Sequence, residues 1–266
     1  MAVPEDPRAP LDLAEINRLA VGGWQLSVVA STGSTNSDLL VAAAAGAADR
    51  TVLAAELQTG GRGRLDRQWS SPRGAGLTFS MLLRPTVPVA AWGWLPLLAG
   101  LALCRAVGAG ARLKWPNDLL LGADDSKVAG ILAQATDDAV VVGVGLNVTL
   151  TAAELPVATA TSLALQSSRQ LDRSVLLAQF LTEFDAVLGR WTADDGDAQR
   201  SGLADEYRSS CRTIGQRVTV QLPDRTVPGL ALDVDPAGQL VVQPDDGSAV
   251  LAIAAGDVTH TRSISR

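Results

Sequence analysis

Apolar positions along the chain change spacing several times, and each change marks an element. In residues 11–20, LDLAEINRLA, the side chains of Leu13, Ile16, Leu19 and Ala20 form a stripe at helical spacing and predict a short helix. Residues 24–31 predict a strand. Gly33-Ser34-Thr35-Asn36-Ser37-Asp38 then leads into LLVAAAA and Gly46: capping side chains, a helix and a glycine stop. Residues 51–57 and 76–83 predict strands, the second with Phe79 and Met81 alternating with Thr78 and Ser80. An apolar helix is expected over 93–108, short strands over 112–115 and 119–121, and a longer strand pair over 127–136 and 139–149. Residues 150–168, rich in Thr, Ala and Ser, read as loop. Residues 174–191 repeat Leu176, Leu177, Phe180, Leu181, Phe184, Val187 and Leu188 at helical spacing, and a further helix is expected over 197–211.

Beyond Thr213 the pattern shortens. Residues 218–222, 227–234, 240–243 and 249–254 read as brief strands split by Pro, Gly and Asp turns, the signature of a small β-barrel. The expected class is α+β, with one domain over 1–212 and a second over 213–266.

Composition narrows the function. The 266 residues are 47% hydrophobic and 19% charged, enough for a substantial core. A net charge of −6 makes the chain a poor general binder of nucleic acid or anionic membrane. Against that background Arg62, Arg64, Arg67 and Arg73 form a local basic cluster, better suited to a small anion than to a long polyanion. Cys104 and Cys211 lack metal-type spacing and read as free thiols in a reducing compartment. The single histidine, His260, removes most metal sites and most Ser-His or Cys-His mechanisms. The N-terminus, MAVPEDPRAP, is acidic and proline-rich, unlike a signal peptide. The longest apolar run, 92–104, contains Pro96 and falls short of the roughly 20 residues of a membrane span. The expected location is the cytoplasm, with neither nucleic acid nor membrane as partner.

The chemistry-bearing residues lie between the elements. In GRGRLDRQW, residues 61–69, Gly61 and Gly63 allow close backbone approach, Arg62 and Arg64 offer planar forks for carboxylate or phosphate, and Trp69 offers a stacking face. With no apolar pattern of its own, this loop is expected to be mobile when empty. No Walker loop occurs. Lys114-Trp115-Pro116-Asn117-Asp118 ends a strand in two hydrogen-bonding side chains; Asp118 suits Mg²⁺ or an amine, and an Asx turn is the simpler alternative. Lys127 opens an apolar strand and can aim its charge at bound anions. Gly143 and Gly145 inside a strand mark a bulge or a close approach.

Taken in order, S-T-N at 34–36, E-x-Q-x-x-G-R-G-R at 56–64, Trp69, K-W-P-N-D at 114–118, K-V-A-G-I-L at 127–132 and G-x-G-L-N at 143–147 resemble the biotin protein ligases. The resemblance covers residues 24–150 by motif and the remainder by layout. It implies a central mixed, largely antiparallel sheet flanked by helices, as in class II synthetases and lipoate ligases, plus a C-terminal SH3-like barrel. It implies that biotin and MgATP give biotinyl-5′-AMP and pyrophosphate, and that biotin then passes to a lysine of a biotin carboxyl carrier domain of an acyl-CoA carboxylase. By resemblance, Ser34, Thr35, Asn36 and Gln58 surround the biotin rings, with Gly61, Arg62, Gly63, Arg64, Trp69, Lys127, Gly130 and Gly145 completing that side. Arg62, Arg64, Arg67, Trp69, Lys114, Asn117, Lys127 and Asn147 face the adenylate. Lys127, Arg62, Arg64 and Asp118 carry the catalysis, with Asp118 the candidate for Mg²⁺.

Asp66 departs from the family loop, which has a third glycine there, and is expected to loosen the hold on the adenylate. The first motif strand begins near Trp24, leaving no room for the helix-turn-helix that some members carry, so no repressor role is expected. A lipoate or octanoate ligase of the same fold and a non-catalytic biotin-binding module stand as alternatives.

Overall fold

The computed structural model describes residues 8–65, 67–166 and 170–260. Asp66 and its expected effect lie outside these residues. In chain order the elements are α1 (Leu13–Leu19), β1 (Gln25–Val29), α2 (Thr35–Ala44), β2 (Thr51–Ala55), β3 (Gly76–Leu83), a 3-10 turn (Val89–Trp94), α3 (Leu95–Val107), β4 (Arg112–Lys114), β5 (Asp118–Leu121), β6 (Ser126–Ala135) and β7 (Val140–Asn147). Two helices follow, α4 (Arg173–Ala193) and α5 (Leu203–Ser210), then β8 (Arg217–Gln221), β9 (Thr226–Val234), β10 (Leu240–Pro244), β11 (Leu251–Ile253) and β12 (Asp257–His260).

The first seven strands form one sheet in the order β1-β2-β3-β7-β6-β5-β4. Only β1 and β2 run parallel; the other neighbours are antiparallel. The two faces of the sheet differ sharply. On one, Leu77, Phe79, Met81 and Leu83 of β3 and Val140, Val142, Val144 and Leu146 of β7 join the main core with α3 and α4. On the other, α2 makes a small apolar cluster with Leu53, Leu82, Ala139 and Val141. The rest of that face carries Thr78, Ser80, Gly143, Gly145 and Gly130, and this polar and glycine-lined stretch is where the site forms.

The last five strands form a separate antiparallel sheet, β11-β10-β9-β8-β12, whose burial alternates as a small barrel requires. Two indoles hold it to the rest: Trp94 Nε1 donates to Pro236 O at 3.0 Å and Trp115 Nε1 to Gly238 O at 3.1 Å.

Three expectations need correction. The helix expected over 197–211 begins only at Leu203, because Asp197 turns the chain by accepting the Gln199 and Arg200 amides and Gly202 sits at φ +72°. The apolar helix starts earlier than 93, as a 3-10 turn from Val89. The joined segment, Val89–Val107, is 19 residues long with mean hydropathy 1.4, long and apolar enough to span a membrane. Here α3 packs against α4 and strands β4 to β7. Strand β12 escaped notice because Val258 is its single buried apolar residue; it pairs with β8.

Candidate active site

Cross-strand register builds the floor of the site. Ala55, Thr78, Gly145, Gly130, Asp118 and Lys114 lie opposite one another in one row across β2, β3, β7, β6, β5 and β4. Directly opposed residues share a face, so the two glycines open a gap in the middle of a polar row. Trp69 lies over that gap. A Cβ on Gly145 would run into its indole ring, and one on Gly130 would meet Trp69 Cζ3 at 3.3 Å. The indole Nε1 is buried and without a hydrogen-bond partner. Beside the ring, Glu56, Gln58, Ser71, Gly76 and Thr78 line a cavity of only ≈ 10 Å³, about the space of one water.

Lys127 reaches the same face by a bulge. Opposite Leu119 and Leu120 the register jumps from Ala129 to Lys127, leaving Val128 as an extra residue. The Lys127 ammonium therefore meets Asp118 Oδ1 at 2.5 Å and lies beside Gly130. Asp118 also attracts the half-buried Arg64, whose pKa burial lowers while Asp118 and Asp257 act to raise it. Two cations thus converge on one carboxylate at the edge of the glycine floor.

The next row of the floor, Ser80 opposite Gly143 opposite Leu132, is covered by Asn36 from the first turn of α2. Ser34 caps that helix, accepting the Ser37 amide. Asn36 is fully engaged: its Nδ2 donates to Leu132 O (3.1 Å) and Gln134 Oε1 (2.9 Å), and its Oδ1 accepts from Ser80 Oγ at 2.6 Å. Thr35 Oγ1 lies 2.6 Å from Ser80 Oγ and 3.0 Å from Gln58 Oε1, and the Thr35 amide donates to Gln58 Oε1 at 2.8 Å. Since Ser80 spends its one proton on Asn36, the Thr35 hydroxyl donates to Ser80 or to Gln58, not both. Sequence reasoning missed Ser80 and Gln134. The signal for Ser80 was a hydroxyl alternating with Phe79 and Met81 in a strand buried along its whole length.

The Arg/Gly loop is a hairpin tied to itself and to the barrel. Trp69 N donates to Gly61 O (3.0 Å), Gly63 N to Arg67 O (2.6 Å), and Arg62 bridges Gln68. Arg64 Nη2 donates to Gly256 O at 3.4 Å, and the exposed Arg67 pairs with Asp257, which raises its pKa through the hydrogen bond and the charge. The Arg62 side chain is exposed.

The remaining candidates sit at the margins. Asn117 and Asn147 strap the backbone, their Nδ2 groups donating to Ile131 O and Thr161 O, both at 2.9 Å. Lys114 is half-buried at the end of the floor row, and its charge adds to the burial that lowers the pKa of His260. Both cysteines are free; Cys211 is buried, and burial raises the pKa of Cys104. Among the described residues no group of three or more His, Cys, Asp or Glu stands ready for a metal.

The chain that builds this site has known relatives. Residues 28–148 match the biotin/lipoate A/B protein ligase family, and residues 213–260 the biotin protein ligase C-terminal domain. The sequence is 44% identical to the biotin–[acetyl-CoA-carboxylase] ligase of Mycobacterium tuberculosis, covering 96% of this chain and 97% of that one. It is 32% identical to the bifunctional ligase/repressor BirA of Bacillus spizizenii, covering 83% of this chain and 69% of that one. The biotin protein ligase of Aquifex aeolicus in complex with biotin and ATP superposes with a TM-score of 0.73 at 27% identity, covering 90% of this chain and 99% of that one. The chain belongs to the biotin protein ligase family.

Proposed function

We propose that this protein activates biotin with ATP and transfers it to a lysine of a biotin carboxyl carrier domain of an acyl-CoA carboxylase. The observation that carries this reading is the convergence of Lys127 and Arg64 on Asp118 beside Gly130. Asp118 there stands where a substrate carboxylate benefits from the same two cations. In the first step a biotin carboxylate oxygen attacks the α-phosphorus of ATP, and the bond to the bridging oxygen breaks to release pyrophosphate. Two anions must meet in line, so fixed positive charge lowers the barrier. In the second step the acceptor amine attacks the acyl carbon and AMP leaves.

Ser34, Thr35, Asn36 and Gln58 surround the biotin rings, and Gly130 and Gly145 let them lie against the sheet. Gly61 and Gly63 let the loop close, so that Trp69, Arg62 and Arg64 cover the adenylate, with Arg67, Lys114, Asn117 and Asn147 on its nucleotide side. Trp69 yields the glycine floor as biotin enters. Once biotin's carboxylate takes over Lys127, Asp118 is released to accept the acceptor amine's proton. The alternative role for Asp118 is as protein ligand to Mg²⁺ carried in by the nucleotide; bound there, Mg²⁺ would supply charge neutralisation for the phosphates. The division at 212/213 and a cytoplasmic location belong to the same reading.

The test adds biotin or lipoate with MgATP and follows pyrophosphate. Release with biotin alone is expected. Release with lipoate in preference would move the protein to the lipoate ligases, and biotin binding without release would leave a binding module. Asp118→Ala should slow transfer from preformed adenylate, and unchanged rates in both half-reactions would remove Asp118 from the mechanism.

A further inference from the structure

Glu56 belongs to the E-x-Q-x-x-G-R-G-R segment, yet the chemistry above gives it no part. It follows the end of β2, and its side chain is largely buried. Glu56 Oε2 accepts from Arg173 Nη2 at 2.7 Å, and its Oε1 accepts from Leu11 N at 2.6 Å. The Arg173 side chain is only 2% exposed. It also donates from Nη1 to Gly76 O at 3.3 Å and from Nη2 to Ala9 O at 2.6 Å. Glu56 and Gly76 bracket residues 57–75, the segment that contains the Arg/Gly loop. The same bracket is closed by the Gly74 amide, which donates to Glu56 O at 3.2 Å. Gly74 has φ +72°, and a Cβ on it would lie 2.9 Å from Arg8 O, so only glycine lets the chain turn under the residues that Arg173 holds.

The position of this arginine is unfavourable on two counts. It is the first residue of α4, where the helix dipole opposes a cation. It is also a charge withdrawn from water, with Glu56 as its counter-ion and Nε left without a hydrogen-bond partner. A neutral side chain would serve helix and core better. What the guanidinium achieves is to hold the start of the loop segment, its end and the strap of residues 9–11 with one rigid, planar group.

We propose that Arg173 is a positioning residue for the ligase reaction, acting through Glu56 and the Gly76 carbonyl to fix the two feet of the active-site loop. Gln58 stands two residues beyond one foot and Thr78 two residues beyond the other, and both line the cavity beside Trp69. Holding the feet sets the height of Trp69 over Gly145 and Gly130 and the approach of Arg64 to Asp118. The proposal rests on the reading of the loop as the cover of the adenylate.

The test uses the full chain carrying Arg173→Lys or Glu56→Gln. Lysine keeps the charge but loses the fork; glutamine keeps the shape but loses the charge, and it serves as the folded variant should the lysine variant fail to fold. Amide hydrogen exchange without substrates is expected to rise about tenfold or more across 57–75 and stay at the wild-type level in β6 and β7. The KM for biotin should rise and the bound adenylate should dissociate faster, each by about tenfold. Transfer from adenylate that remains bound should keep its rate. Wild-type exchange over 57–75 with wild-type KM would overturn the proposal, as would a rise spread evenly over α4 and the sheet. Failure of the ligase reading shows separately, as absence of pyrophosphate release by the wild type, and leaves the exchange test intact.

Discussion

Lys127 and Gly130 stand three residues apart on one strand, and regular pleating would turn them to opposite faces. The bulge at Val128 brings both to the floor. The lysine and the glycine were legible in the sequence as motif positions, but a bulge leaves no compositional mark on an apolar strand, so their shared orientation was not. Thr78 and Ser80 were legible as polar residues alternating with Phe79 and Met81. What they faced was not, because Gly143 and Gly145 become their neighbours only through the β3–β7 register. Gly145→Ala tests the floor directly. The added methyl collides with the Trp69 indole, so the ring must leave the sheet. Biotin affinity should fall by about tenfold or more, with little change in melting temperature since the site face is thinly packed. A titration of biotin binding alongside a melt checks both, and wild-type affinity would show that biotin does not use this floor.

At the scale of elements, the loop and the barrel meet through Arg67 and Asp257, and Arg64 reaches the neighbouring Gly256 carbonyl. The pair is exposed, so it shifts the closed state by a factor of a few at most. Asp257→Asn should therefore speed adenylate release about two- to fivefold at low salt, and the difference from wild type should shrink towards 1 M salt, where screening acts within about 3 Å. Release rates at two ionic strengths check this; a difference independent of salt would exclude the ion pair as its cause. This contact joins residues 190 positions apart, and a single Asp in a short strand gave no sign of it. The long helices and the seven central strands were legible because their apolar periods are strong. Strand β12 and the start of α5 were not, since one buried valine and one left-handed glycine decide them.

At the scale of the molecule, His260 lies at the junction of sheet and barrel. Thr213 Oγ1 accepts from the Trp115 amide and lies 3.0 Å from His260 Nε2, tying the ring to the strand that enters the junction. Burial and the nearby Lys114 and Arg212 lower the pKa of His260, opposed by Asp125. A histidine pKa lowered on folding means that the unfolded chain binds more protons, so this contribution is present above the ordinary value of about 6.5 and is lost as pH falls below it. Melting temperatures at pH 7.5 and 5.5 should differ more for wild type than for His260→Asn; an equal difference would remove His260 from the pH response. The strands of the second sheet were partly legible, because the apolar pattern shortens into brief runs beyond Thr213. The pairing of Trp94 and Trp115 with the β9–β10 turn was not, since the accepting carbonyls lie 142 and 123 positions further along the chain. The most direct measurement is transfer of labelled biotin from MgATP and biotin to a biotin carboxyl carrier domain, by wild type and by Lys127→Ala. Labelling by the wild type is expected, with a loss of about 100-fold or more in the variant, where the charge on the reacting carboxylate and phosphate is gone. Labelling by Lys127→Ala at the wild-type rate would contradict the site, and no labelling by the wild type would contradict the function.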